Sequence, residues 1–139
     1  MVTSITILLI SACLTNMDCV FCDLIDKKDY ILENDLAVAF YDSFPVSEGH
    51  TLIIPKRHTK TYIDLTKEEM EAIFLLSNEV KKLLDEKYHP DGYNVGFNVN
   101  ECGGQSVMHC HMHIIPRYKG DQENPRGGIR KVVKNKTLY

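Results

Sequence analysis

The sequence lacks several features that common functions require. No glycine-rich turn follows the first apolar stretch, so neither a P-loop nor a dinucleotide-binding βαβ unit is expected. There is no acidic cluster suited to magnesium and no surface interleaving aromatic with basic residues. Both absences disfavour kinase-type chemistry and a nucleic-acid partner. The apolar run at residues 5–10 is too short to span a bilayer, so no membrane partner is expected. Ser11-Ala12-Cys13 follows it in the manner of a signal or lipoprotein box, yet no Lys or Arg precedes it. The expectation is therefore a cytoplasmic protein whose translation starts at Met17, with residues 1–16 an upstream extension. A mature chain beginning at a lipidated Cys13, seen by N-terminal mass spectrometry, would contradict this. No internal repeat, linker or low-complexity tract is present.

What is present fits one ordinary globular domain: 139 residues, 44% hydrophobic and 25% charged. Five cysteines (Cys13, Cys19, Cys22, Cys102, Cys110) form an odd set, unlike a disulfide scaffold. Cys19-x-x-Cys22 reads instead as a metal or redox pair. The net charge of −3 is unevenly spread. Residues 117–139 carry seven Lys/Arg against two Asp/Glu, a net of +5, which leaves −8 on the rest. A basic tail, residues 119–139, fits a polyanionic small molecule bound nearby.

Residues 18–29 read as a loop with a turn or short helix. Residues 30–33, 36–41, 50–54 and 92–98 read as strands, punctuated by Asn34-Asp35, Pro45, Gly49 and Pro55. Thr66-x-x-Glu69 is a capping box. It opens a helix with an apolar stripe of Met70, Ile73, Phe74, Val80, Leu83 and Leu84, read as core packing, and His89-Pro90 ends it. Strands joined by hairpin-length connections on both sides of one long helix predict a mainly antiparallel sheet and an α+β fold.

The chemistry concentrates in residues 107–117. Histidine falls at every second position, with Met108, Cys110, Met112 and Ile114 between. In an extended strand His109, His111 and His113 then line one face, while the apolar set packs onto the core. Just upstream, Gly103-Gly104 let the backbone come close to a ligand, and Gln105 and Ser106 offer short polar groups to phosphate oxygens.

These residues carry a resemblance. Gly104-Gln105-Ser106-Val107-x-His109-x-His111-x-His113-Ile114-Ile115-Pro116-Arg117 resembles the signature of the histidine triad nucleotide-binding proteins. Gly49-His50-Thr51-Leu52-Ile53-Ile54-Pro55-Lys56-Arg57-His58 resembles their second shared block, and Cys19-Val20-Phe21-Cys22 the opening of the zinc-carrying members. The resemblance runs from about Asp18 to Arg117, inside a domain set at residues 17–118. It implies a five-stranded mainly antiparallel sheet with two helices. It also implies a homodimer that joins two sheets into a continuous ten-stranded one, and a hydrolase or transferase acting at a phosphorus bonded to a nucleoside.

Carried over by position, the resemblance makes His111 the nucleophile that forms a nucleotidyl-imidazole. A neutral imidazole suits that task near pH 7, with a backbone carbonyl expected to hold its other N–H. His113 would donate to the phosphate or the leaving atom. Ser106, Gln105, Gly104 and Asn98 would surround the phosphate, and Asp42 would hold the ribose hydroxyls. Phe21, Leu24 and Phe40 would form either an apolar slot for a purine base or plain core. Cys19, Cys22, His58 and His109 would hold a structural zinc, with His50 competing for the place of His58. The implied activity is hydrolysis of an adenosine phosphoramidate or a dinucleoside polyphosphate, releasing AMP. The basic tail favours the polyphosphate, and phosphate in place of water as attacking group remains open. A non-catalytic, zinc-stabilised nucleotide-binding module is the alternative.

Overall fold

The computed structural model describes residues 18–134. The N-terminal extension, Met17 and the last basic residue, Lys136, lie outside the described residues. A short helix, α1 (Val20–Asp26), precedes strands β1 (Leu32–Glu33), β2 (Ala37–Tyr41) and β3 (Thr51–Pro55). The long helix α2 (Lys67–Tyr88) follows, then β4 (Gly92–Phe97) and β5 (Met112–Arg117). The strands form one sheet in the order β1-β2-β3-β5-β4, and every neighbouring pair is antiparallel. This is the expected α+β architecture, a five-stranded antiparallel sheet with two helices. Among the described residues no helix is long and apolar enough to cross a membrane.

The register assigns the two faces of the sheet. His113 pairs with Leu52 of β3 and Gly96 of β4, and Leu52 pairs with Phe40 of β2. Strand side chains alternate, so these residues share a face. That face carries Val38, Phe40, Leu52 and Ile54 and is covered by Phe21 of α1, with Leu24 and Ile25 packed alongside. The opposite face carries Ala37, Ala39, Ile53, Met112 and Ile114 and packs against Ile73, Leu76, Val80 and Leu84 of α2. Thr66 caps α2 as the sequence indicates: its side chain accepts from Glu69 N–H while the Glu69 carboxylate accepts from Thr66 N–H.

Two expectations need correction. The histidine stretch is not one continuous strand, because β5 begins only at Met112. Ahead of it, Cys110 N–H donates to Thr59 O at 2.6 Å instead of to a sheet neighbour. The alternation survives, with Cys110, Met112 and Ile114 buried, but Met108 lies outside the core and is exposed. The α2 stripe is likewise narrower than its spacing implies. Ile73 is fully buried, whereas Phe74 is 56% exposed and Met70 is also exposed. Leu76 completes the buried row in their place. A helix crossing a sheet covers only the residues directly over it, and a sequence stripe does not mark that line.

Candidate active site and metal centre

His111 is buried, and its Nδ1–H donates to the carbonyl oxygen of His109 at 2.8 Å. This is the expected backbone acceptor, now named. It fixes the tautomer and leaves a lone pair on Nε2. The edge of the Phe21 ring stands 5.3 Å from the imidazole, and His113 lies 5.0 Å away, both between ring centroids.

The sequence reading missed the partner of His113. Val46 N–H donates to His50 Nδ1 at 3.2 Å, so the proton of the neutral His50 ring sits on Nε2. His50 Nε2–H then donates to His113 Nδ1 at 3.0 Å. By the same logic His113 carries its proton on Nε2. That nitrogen is buried and has no partner, so it is a donor awaiting an acceptor. Burial, reinforced by His111 and His50, pulls the His113 pKa down to about 4, and burial lowers that of His50 against the pull of Asp42. Both rings are therefore neutral near pH 7. His50 competed in sequence only as a zinc ligand. The structure separates it from the cysteines and sets Asp42 Oδ2 3.6 Å from its Nε2.

Asp42 closes the turn after β2, with Oδ1 accepting from Phe44 N–H at 3.0 Å. Phe21 and Phe40 meet edge to face at 5.3 Å and are buried in the core of the α1 face. They thus serve as core and as the wall beside His111. Gly104 takes a left-handed backbone (φ +90°) next to the Asn98 side chain, and Ser106 is exposed farther along the same loop. Gln105 departs from expectation. Its amide donates to Lys60 O at 2.7 Å and Val107 O at 3.0 Å, and its oxygen accepts from Asn100 N–H. Both amide hydrogens are spent on backbone, so this buried side chain shapes the loop and does not reach for phosphate. Cys110, left without a role by its sequence, is core; burial pushes its thiol up to about 12, which removes it as a nucleophile.

Beyond His113 a cleft of about 370 Å³ opens on the same face. Its floor includes Asn94, Gly96, Asn98 and Ile115, and its walls are Val46, Ile129 and Val132. Among the described residues no Lys or Arg lines it. The described part of the tail contributes Gly128, Ile129 and Val132 of the short helical turn Gly128–Val132 to this lining.

The donor atoms of Cys19, Cys22, His58 and His109 all lie within 4.8 Å of one another. Sulfur-to-nitrogen separations are 3.5 Å for Cys19–His109, 3.6 Å for Cys22–His109 and 3.4 Å for Cys22–His58. Tetrahedral bonds of zinc length give about 3.5 Å between such atoms, so these four residues fit a zinc ion. His109 Nε2–H donates to Pro55 O at 2.9 Å, which turns an unprotonated Nδ1 toward the thiols. Burial lowers the His109 pKa to about 4, consistent with a ring that stays neutral. This set resolves the choice between His58 and His50 in favour of His58.

Residues 25–120 match the HIT domain family. The chain belongs to this family. A 16.1 kDa HIT-like protein of Mycoplasma pneumoniae is 38% identical over 109 residues, covering 76% of each chain. A bis(5'-adenosyl)-triphosphatase of Dictyostelium discoideum is 36% identical over 73% of this chain and 68% of that one. An adenosine 5'-monophosphoramidase of Schizosaccharomyces pombe is 37% identical over 73% and 75%. Among solved structures, a HIT family protein of Bacillus anthracis superposes with a TM-score of 0.71 at 35% identity, covering 77% of this chain and 78% of that one. A zinc-bound histidine triad protein of Mycobacterium smegmatis gives 0.71 at 31%, covering 78% and 81%.

Proposed function

We propose that the chain is a nucleotide hydrolase or transferase that cleaves at the α-phosphorus of a nucleoside phosphoramidate or dinucleoside polyphosphate. The adenosine-directed relatives make AMP the product we assign. One observation carries this reading. The free Nε2 lone pair of His111 belongs to a ring set beside that of His113, whose Nε2–H is buried and unpartnered. In this reading the His111 lone pair attacks phosphorus, and the bond to the leaving nitrogen or oxygen breaks. A covalent nucleotidyl-His111 divides one hard displacement into two easier ones. The neutral His113 donates a hydrogen bond to the charge growing on the leaving atom or on the phosphoryl oxygens, and a departing nitrogen takes its proton from solvent water. Water then attacks phosphorus, loses its proton to solvent, and the P–N bond to His111 breaks, restoring the neutral imidazole. Inorganic phosphate in water's place would make the enzyme a phosphorylase.

Asn98, Gly104 and Ser106 are assigned to the phosphate, Asp42 to the ribose and the Phe21, Leu24 and Phe40 wall to the base. His111→Ala tests the reading: turnover should vanish while nucleotide binding persists. A wild-type protein that binds nucleotides yet turns none over would favour the alternative, a zinc-stabilised binding module.

We assign zinc to Cys19, Cys22, His58 and His109. A closed set of two thiolates and two imidazoles supplies structural stability and leaves no position for substrate. We also assign a homodimer, with two sheets joined at their β4 edges. The exposed Val95 on that edge strand supports it, and sedimentation at twice the chain mass is the expected result.

A further inference from the structure

The loop between β2 and β3 carries the N–H that sets His50. Its first half faces solvent: Ser43, Phe44, Pro45 and Val46 are exposed, Phe44 to 87% and Val46 to 72%. Side chains that stay in water gain no burial energy and do not fix a backbone. The second half is anchored. Gly49 (φ +84°) lies against α2, where an added Cβ would stand 2.8 Å from the Tyr88 ring, so the approach requires glycine. Beside it, Glu48 O accepts from the hydroxyl of Tyr118 at 2.7 Å, a contact between positions 70 residues apart.

Tyr118 is itself held in place. It follows β5 directly, in a turn that Asp121 N–H closes on Tyr118 O at 3.0 Å and that uses the left-handed Gly120 (φ +86°). Asp121 accepts from Tyr118 N–H at 3.0 Å and from Arg117 Nε and Nη2 at 2.7 and 2.8 Å. Those bonds, Arg117 foremost, hold the Asp121 carboxyl down at about 2, so it stays charged near pH 7. Arg117 Nη1 also donates to Asn94 Oδ1 of β4 at 2.6 Å. A two-pronged guanidinium–carboxylate pair has a narrow geometry, and here it ties the turn to the end of the sheet.

A line of donors then runs from the surface to the reacting centre. Tyr118 O–H donates to Glu48 O, Val46 N–H to His50 Nδ1, and His50 Nε2–H to His113 Nδ1. The last ring carries the unpartnered Nε2–H. Glu48 and Val46 lie two residues apart, so releasing the Glu48 carbonyl lets the Val46 N–H turn away. His50 Nδ1 is then free to take the proton. That would leave a lone pair on His50 Nε2, reverse its bond to His113 and strip the proton from His113 Nε2.

We propose that Tyr118 is a positioning residue for the reaction at His111: its hydroxyl holds the β2–β3 loop where Val46 N–H sets the tautomer of His50 and, through it, that of His113. This rests on the hydrolase reading above and adds to it a residue at the root of the tail.

Tyr118→Phe removes one oxygen from a partly exposed side chain and keeps the ring. With an adenosine phosphoramidate as substrate, kcat should fall about three- to tenfold, the range of one lost hydrogen bond, with KM within about twofold. In a His50→Ala background the same substitution should leave kcat within about 1.5-fold, because the line is already broken there. Nitrogen-15 spectra of the histidines read the tautomers without substrate. The wild type should show His50 and His113 protonated on Nε2, and Tyr118→Phe a raised share of Nδ1–H at both. Unchanged tautomers or an unchanged kcat in Tyr118→Phe would overturn the role of Tyr118 and leave the hydrolase reading intact. An equal loss of kcat in the His50→Ala background would overturn it too, since the hydroxyl would then act by another route. If the wild type turns over neither the phosphoramidate nor a dinucleoside polyphosphate, the hydrolase reading fails and the positioning role with it.

Discussion

A single proton position governs the chemistry at the residue scale. Val46 N–H and His50 together hold the His113 proton on Nε2, which in the proposed reaction faces the developing charge. His50 is thus a positioning residue. His50→Ala should lower kcat roughly ten- to a hundredfold while the nucleotide KM changes little, because a donor to developing charge acts in the transition state. An unchanged kcat would show that His113 holds its tautomer unaided. The neutral His113 also links stability to pH. Its folded pKa is about 4 against an ordinary 6.5, so the unfolded chain takes up a proton that the folded chain refuses. Stability is fully present above pH 6.5 and is lost as pH falls toward 4. Thermal melts should show this loss, and His113→Asn should flatten it by up to about 1.4 kcal/mol per pH unit. A variant slope equal to that of wild type would contradict the shift. Alternating histidines were legible in the sequence. Their acceptors, His109 O and Pro55 O, were not, because backbone groups leave no mark in a residue pattern.

At the element scale the clearest contrast lies along α2. Periodicity alone puts Ile73 and Phe74 in one stripe, yet only Ile73 meets the sheet. Ile73→Ala should cost about 2–5 kcal/mol in denaturant unfolding, from lost burial and a cavity. Phe74→Ala, at a largely exposed position, should cost well under half as much. Equal losses would mean that α2 sits differently on the sheet. The capping box and the ends of the helix were readable, since cap and breaker residues act locally. The facing direction was not, since it depends on where the sheet runs beneath. The strands were placed to within a few residues, except that the histidine strand starts at Met112. There Cys110 N–H is taken by the Thr59 carbonyl and not by a sheet neighbour.

At the scale of the whole molecule, four distant positions are tied together. Cys19 and Cys22 precede the sheet, His58 follows β3 and His109 leads into β5. Zinc there would anchor α1, and with it Phe21, against the carbonyl that orients His111. A Cys19→Ser, Cys22→Ser protein should lose its zinc by metal analysis and melt at a lower temperature. Zinc content equal to that of wild type would remove the assignment. The strand number and this ligand set were legible only through resemblance to a family, and the strand order not at all, because pairing between distant segments is not encoded in local spacing. The course of the tail was not legible: its charge drew attention to Lys and Arg, whereas the tail residues that line the cleft are Gly128, Ile129 and Val132. The central claim is that His111 bonds to phosphorus, and mass spectrometry of the rapidly quenched wild type with an adenosine phosphoramidate tests it most directly. The expected result is an added adenylyl mass on the peptide containing His111, absent in His111→Ala. Steady turnover with no such adduct, or an adduct that persists in His111→Ala, would contradict it.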